Sequence, residues 1–344
     1  MKKFFYILAL LSVSLAVFAQ ATGDSIANKE ESQLRFPIPK NYVENYNDLG
    51  QSTPASLPIP DNVVTEVVYD PDTDRYYFQS KVGDEDLGTP FYLTSDEFAE
   101  ILKAEKETGK VFTVYQNRRW DRDYLAMKKL YESGALGDVH RIEHRVHGSR
   151  GIPGDWRQYP EFGGGMILDW GVHILDQMVL LVGESVKSVY CSTDNVTNEL
   201  VDDGFNIRLK FESGVEAVLE VGTSNFIALP KWYMLGRNGS AVIRGWHVDD
   251  NEVIIAEEID NTDIVPVITA TGITKTMAPR KPEQFKSSKL EVPESSIDEF
   301  YYNFMAACKG EAEQAVKNEQ VMRIMKIIEA AFKSAKTNQV VYFE

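Results

Sequence analysis

For residues 97–344 the sequence predicts an α+β fold, a large and mostly antiparallel sheet with helices packed on one face. Three features predict it. Strands are expected over 185–192, 204–211, 215–221, 232–236 and 240–244, and the turns Glu212-Ser213-Gly214 and Arg237-Asn238-Gly239 are short enough to require antiparallel neighbours. Helix punctuation is frequent: capping boxes at Thr94/Glu97 and Ser296/Glu299 open helices that stop at Gly109 and Gly310. The run from Met166 through Trp170, Ile174, Met178 and Leu181 has the apolar spacing of a buried helix, entered through Gly163-Gly164-Gly165.

The other elements follow in order. A strand is expected over 110–115, a helix over 122–133 closed by Gly134, and a strand over 139–146 ending at His147-Gly148. Residues 260–293, rich in Thr, Lys and Pro, read as a long excursion. The last helix, over 319–336, carries the stripe Ile324, Ile327, Ile328, Ala331 and Phe332, and a short strand over 340–343 ends the chain.

Ahead of this part the texture differs. Residues 1–19 pair Lys2 and Lys3 with an apolar run ending Val17-Phe18-Ala19, the pattern of a secretory signal, so a periplasmic or exported chain is expected. No later segment is apolar enough to span a membrane. Residues 20–60 are polar and proline-spaced, an extended or disordered arm. A β-hairpin follows over 63–82, turning at Asp70-Pro71-Asp72-Thr73-Asp74.

The chain has 344 residues, 43% of them hydrophobic, and a formal net charge of -16, with no basic stripe. Phosphate backbones are bound by clustered Lys and Arg, so a nucleic-acid partner is excluded. The two cysteines, Cys191 and Cys308, are expected as buried free thiols without metal-ligand spacing.

Asp169 and His173 stand four residues apart on the central helix. That spacing lets a carboxylate orient an imidazole, as a proton-transfer residue requires, and Asp176 continues the same face. An exposed pair or a satisfied core histidine has the same spacing. So does a zinc site completed by His147. Three consecutive glycines indicate a backbone that something approaches closely.

Two family resemblances are carried by longer stretches. Leu57-Pro58-Ile59-Pro60-Asp61, 68–77, Lys81-Val82-Gly83-Asp84 and Thr89-Pro90-Phe91-Tyr92-Leu93-Thr94 resemble the amino terminus of the SprA-type translocon proteins of the type IX secretion system in Bacteroidetes, over about residues 1–98. Gln116-Asn117-Arg118-Arg119-Trp120-Asp121, the 163–176 stretch, Gly236-Arg237-Asn238-Gly239 and 325–335 resemble the carboxy-terminal half of the Gfo/Idh/MocA oxidoreductases, over about 97–344.

The second resemblance implies a substrate and oligomerisation domain of an NAD- or NADP-linked sugar or inositol dehydrogenase. It assigns His173 as proton acceptor and Asp169 as substrate ligand and orienter. Arg118, Asn117, His147 and Asp176 become substrate-binding candidates, with Lys231 and Trp232 near the pocket, although Trp232 in a strand also reads as core. The open sheet face becomes the expected contact of a dimer or tetramer.

The chain departs from that family in two respects. No Gly-x-Gly-x-x-Gly turn occurs among Gly23, Gly50, Gly83, Gly88 and Gly109, so no Rossmann domain is expected. The family's Glu-Lys-Pro lysine is also missing. The resulting expectation is a join near residues 94–99 that binds no cofactor by itself, with a secreted, non-catalytic sugar- or polyol-binding module, or an amino-terminal fragment of a type IX secretion translocon protein, as the alternatives.

Overall fold

The computed structural model describes residues 94–256, 270–272 and 280–343, together with the strand backbones Phe36–Ile38, Val63–Asp70, Arg75–Val82, Glu85–Asp86, Val267–Ile268 and Thr274–Lys275. The signal sequence and the rest of the arm lie outside the described residues. From residue 94 the elements are α1 (Ser95–Thr108), α2 (Arg122–Glu132), β1 (Val139–His147), α3 (Val172–Val182), β2 (Val186–Asp194), β3 (Gly204–Phe211), β4 (Glu216–Gly222), β5 (Trp232–Gly236), β6 (Gly239–Ile243), β7 (Asn251–Ala256), β8 (Phe285–Ser288), α4 (Asp298–Cys308), α5 (Asn318–Thr337) and β9 (Val341–Tyr342).

Nine strands form one sheet in the order β8-β7-β6-β5-β1-β4-β3-β2-β9. Every neighbour is antiparallel except β1 and β4, which run parallel with Ile142 opposite Ala217 and Val146 opposite Val221. The α+β class is therefore as the expected strands and short turns indicate. On β3, Phe205, Ile207, Leu209 and Phe211 are buried while Arg208 and Lys210 are exposed, so one face of the sheet is covered. Ile174, Leu175 and Met178 of α3 and Ile324, Ile327 and Ala331 of α5 pack in the same cluster. Each such side chain contributes about 1.5–3 kcal/mol on burial, which fixes α3 against the sheet.

The capping box at Thr94 forms: Glu97 receives the Thr94 N–H at 2.9 Å and its own N–H donates to the Thr94 hydroxyl at 3.3 Å. Ser95 then ties α1 to α5 through two bonds to the Glu329 carboxylate. The Ser296 box does not form. Its hydroxyl instead accepts the Asp298 N–H at 3.2 Å, a local turn outside the helix.

The strand expected over 110–115 has no ladder partner among the described residues. Side chains satisfy its backbone instead, with Phe112 N–H donating to Glu105 Oε1 and Phe112 O accepting the Gln314 amide. β7 and β8 extend the sheet where no strand was expected; β8 is a four-residue edge strand with mainly polar composition. Both cysteines are free thiols, Cys191 buried and Cys308 half-buried. No described helix is long and apolar enough to cross a membrane.

Candidate active site

The central helix is not uniform. Ile167–Gly171 form a π turn, and only Val172–Val182 are α-helical. Wide turns of this kind are rare and tend to occur at functional sites. The loop before it explains two of the glycines. A Cβ at Gly164 would lie 2.5 Å from the Arg157 carbonyl oxygen and 2.8 Å from that of Tyr159, and Gly165, at φ 101°, packs on the Asp202 carboxylate. What approaches this backbone is the chain's own loop. Gly164→Ala must push that loop aside, and a loss of about 1–3 kcal/mol is expected in urea unfolding.

His173 sits in the first turn of α3, buried, with Nδ1 3.0 Å from Gln116 Oε1. The Gln116 Nε2 donates to the Val172 carbonyl at 3.3 Å, which turns its oxygen toward the imidazole. Nδ1 therefore carries the proton and Nε2 keeps its lone pair. No described group is bonded to Nε2, which is also not among the fully buried, unpartnered atoms. Burial first, and the Arg118 charge second, push this imidazole down to about 3. It is neutral at pH 7, a good hydrogen-bond acceptor and a weak base.

Asp169, in the π turn, does not orient His173. Its Oδ1 accepts Arg157 Nε at 3.0 Å, and Arg157 is fixed in turn by Asp155 at 2.7 Å. The expected dyad is not made because both members already have stronger partners, an arginine for the carboxylate and an amide for the imidazole. Arg118 lies 4.6 Å above the Trp170 ring and pairs through Nη1 with Asp121 at 3.4 Å. Asn117 is buried beside it with Oδ1 unpartnered.

Two expected site residues lie elsewhere. Asp176, 1% exposed, is held by two 2.7 Å bonds from Arg119 and faces the helix packing rather than the site. His147 accepts the Leu229 N–H at Nδ1 (3.2 Å), so its Nε2 donates to Glu220 at 3.1 Å, and both nitrogens are engaged. Lys231 pairs with Asp123 at 2.7 Å, and Trp232 is core, donating to the same carboxylate at 2.9 Å. Among the described residues no group of three His, Cys, Asp or Glu could hold a metal ion.

A dinucleotide needs backbone N–H groups at a glycine-rich helix start. The Gly163–Gly165 entry has that composition and does not fit the group. The Gly164 and Gly165 N–H groups bond Tyr159 and Arg157 carbonyls, and Met166 and Ile167 donate to the Asp202 carbonyl and carboxylate. With these four N–H groups already engaged inside the chain, none is left to cradle a pyrophosphate.

Comparison with known proteins places this geometry. Residues 124–242 match the GFO/IDH/MocA C-terminal domain. A solved structure of an NAD-binding protein from Listeria innocua superposes with a TM-score of 0.68 and 41% identity, covering 74% of this chain and 73% of that one. An uncharacterized oxidoreductase of Schizosaccharomyces pombe is 29% identical over 270 residues, 72% of this chain and 71% of its own. The scyllo-inositol 2-dehydrogenase (NADP(+)) of Bacillus subtilis is 26% identical over 263 residues, 74% of this chain and 71% of its own. With the sheet, the wide turn and the buried histidine in place, the chain belongs to the Gfo/Idh/MocA family of oxidoreductases.

Proposed function

We propose that residues 97–344 are the substrate-handling part of an NAD(P)-linked sugar or inositol dehydrogenase, and that the chain by itself binds a polyol without redox turnover. The observation that carries this reading is the neutral His173, aimed by Gln116 through Nδ1 so that Nε2 keeps its lone pair, with the Arg118 charge close enough to act on the ring. A substrate hydroxyl would donate to that lone pair while Asp169 and Arg118 hold neighbouring hydroxyls. His173 moves a proton only if it is made more basic, because efficient general bases titrate near the working pH. In the family the nicotinamide cofactor supplies the redox step, and the described residues offer it no phosphate cradle.

The test is a pair of titrations on residues 20–344. NADH and NADPH should show no saturation below about 1 mM, whereas scyllo-inositol or myo-inositol should raise the unfolding temperature, by the equivalent of about 2.7 kcal/mol at 100 times its dissociation constant. His173→Asn should abolish the polyol shift. Saturable NADPH binding with turnover would overturn the silent-chain reading. The low basicity of His173 also fits a second reading, a sugar- or polyol-binding module without catalysis, which the same polyol titration addresses. The sheet face that carries the ladder Arg141, Glu143, Arg145 and Glu220, whose central Glu143 and Arg145 are already buried by one another, is the surface we assign to a homo-oligomer.

A further inference from the structure

We infer that Trp246 is a stacking platform for the ring of a neutral cyclic sugar or polyol, and so sets the substrate class of the His173 site; this rests on the substrate-handling reading above. Trp246 lies in the turn between β6 and β7 and is 56% exposed, an unusual position for the largest apolar side chain. The turn is rigid. Arg244 N–H donates to the Asp250 carbonyl at 2.9 Å, Asp250 N–H to His247 at 2.9 Å, and the Asn251 amide to Val248 at 2.7 Å.

The indole is also positioned from the site side. Its ring lies 5.7 Å from that of Trp170, which stands 6.4 Å from the His173 ring, so the two indoles form a continuous wall beginning at the imidazole. Lys231 Nζ lies 4.0 Å from the Trp246 centroid and is itself fixed by Asp123. A side chain held by an aromatic neighbour and a tethered cation, yet half open, has already lost the rotamer freedom that ligand binding would otherwise cost. The C–H face of a six-membered ring with equatorial hydroxyls matches such a surface, while its rim hydroxyls stay free to hydrogen-bond.

Charge selects among cyclic ligands. Arg118 is matched by Asp121, Lys231 by Asp123, and Arg157 faces both Asp155 and Asp169. Three cations meet four carboxylates, so the wall offers no surplus positive charge to a sugar acid. The ligand is therefore an uncharged ring.

Calorimetric titration of residues 20–344 with methyl β-D-glucopyranoside, scyllo-inositol, the acyclic D-glucitol and the anion D-glucuronate tests this. Trp246→Ala should weaken the two neutral rings about tenfold, the scale of a lost base–aromatic stack. Trp246→Phe should restore most of that loss, and D-glucitol should change less than twofold. Trp246 is a surface residue, and equal urea midpoints will show that both variants fold. If His173→Asn weakens binding while Trp246→Ala binds all probes as the parent does, the platform is overturned and the site reading stands. Glucuronate binding tighter than the methyl glucoside overturns the neutral assignment. No binding of any probe at its solubility limit overturns both the platform and the reading it rests on.

Discussion

Asp176→Ala is expected to destabilise the fold by about 3–5 kcal/mol, the range for breaking a buried ion pair from one side. In a domain of this size that is a fall in Tm of roughly 10 °C. Arg119 joins three segments: its fork grips Asp176 on α3, and its Nη1 donates to the Ala315 carbonyl and to Gln320 at the start of α5, both at 2.8 Å. Without the carboxylate, a guanidinium that is 9% exposed keeps only neutral acceptors. Burial raises the Asp176 carboxyl despite the arginine beside it, so the intact pair adds little net stability although its disruption is costly. Replacing both partners at once, Arg119→Met with Asp176→Leu, should recover most of the loss. Urea unfolding of the single and double variants measures this, and a single-variant loss under 1 kcal/mol would mean that the pair is solvated.

The second large effect is pH-dependent. His144 stacks on Trp232 at 3.7 Å, is 2% exposed, and neither ring nitrogen has a partner. Burial, followed by the Lys231 charge, pushes it down to about 3. The folded protein keeps this ring neutral while the unfolded chain protonates it below about 6.5, so its contribution is constant above that pH and stability is lost as pH falls toward 3. His144→Phe removes both the unpaired nitrogens and the titration. It should stabilise the protein by about 1–3 kcal/mol at pH 8, and its advantage should grow by up to about 1.4 kcal/mol for each pH unit below 6.5. Comparing variant with parent isolates this histidine from His173, which acts in the same direction, and from Asp202, whose carboxyl is pushed up to about 7 and acts in the opposite one. A pH-independent difference between the two proteins would refute the assignment.

How much of this is legible in the sequence depends on the range of the interaction. The strands from 204 to 244 are readable because each half-buried strand alternates and Asn238-Gly239 marks a tight turn. The 110–115 segment has the β-branched and aromatic composition of a strand and still forms no ladder among the described residues, because a strand also needs a neighbour. His173 stands out by its chemistry, but its orienting partner does not. Local spacing points to Asp169, four residues away, whereas Gln116 reaches it across 57 positions. Arg157 is similarly invisible as the partner of Asp169, and Trp246, 76 residues beyond Trp170, gives no local sign that the two rings meet. Asp176 shows the converse: its place on the helix is correctly read, but the arginine that claims it decides its role.

The parallel pairing of β1 with β4 has a kinetic consequence. The antiparallel pairs β3–β4 and β5–β6 can zip from short turns, but β1 meets its neighbours β4 and β5 only after long segments have closed, with Arg145 and Glu220 separated by 75 positions. The segment between β1 and β4 contains the glycine loop, the π turn, α3 and the β2–β3 hairpin, and so both Asp169 and His173. Contacts of such separation form slowly, because the chain entropy of closure is lost before they contribute. Asp169 and His173 are thus among the last residues to acquire fixed positions, and a chain caught with its hairpins formed but its central strands apart would have most of its secondary structure while the imidazole still lacks Gln116 beside it.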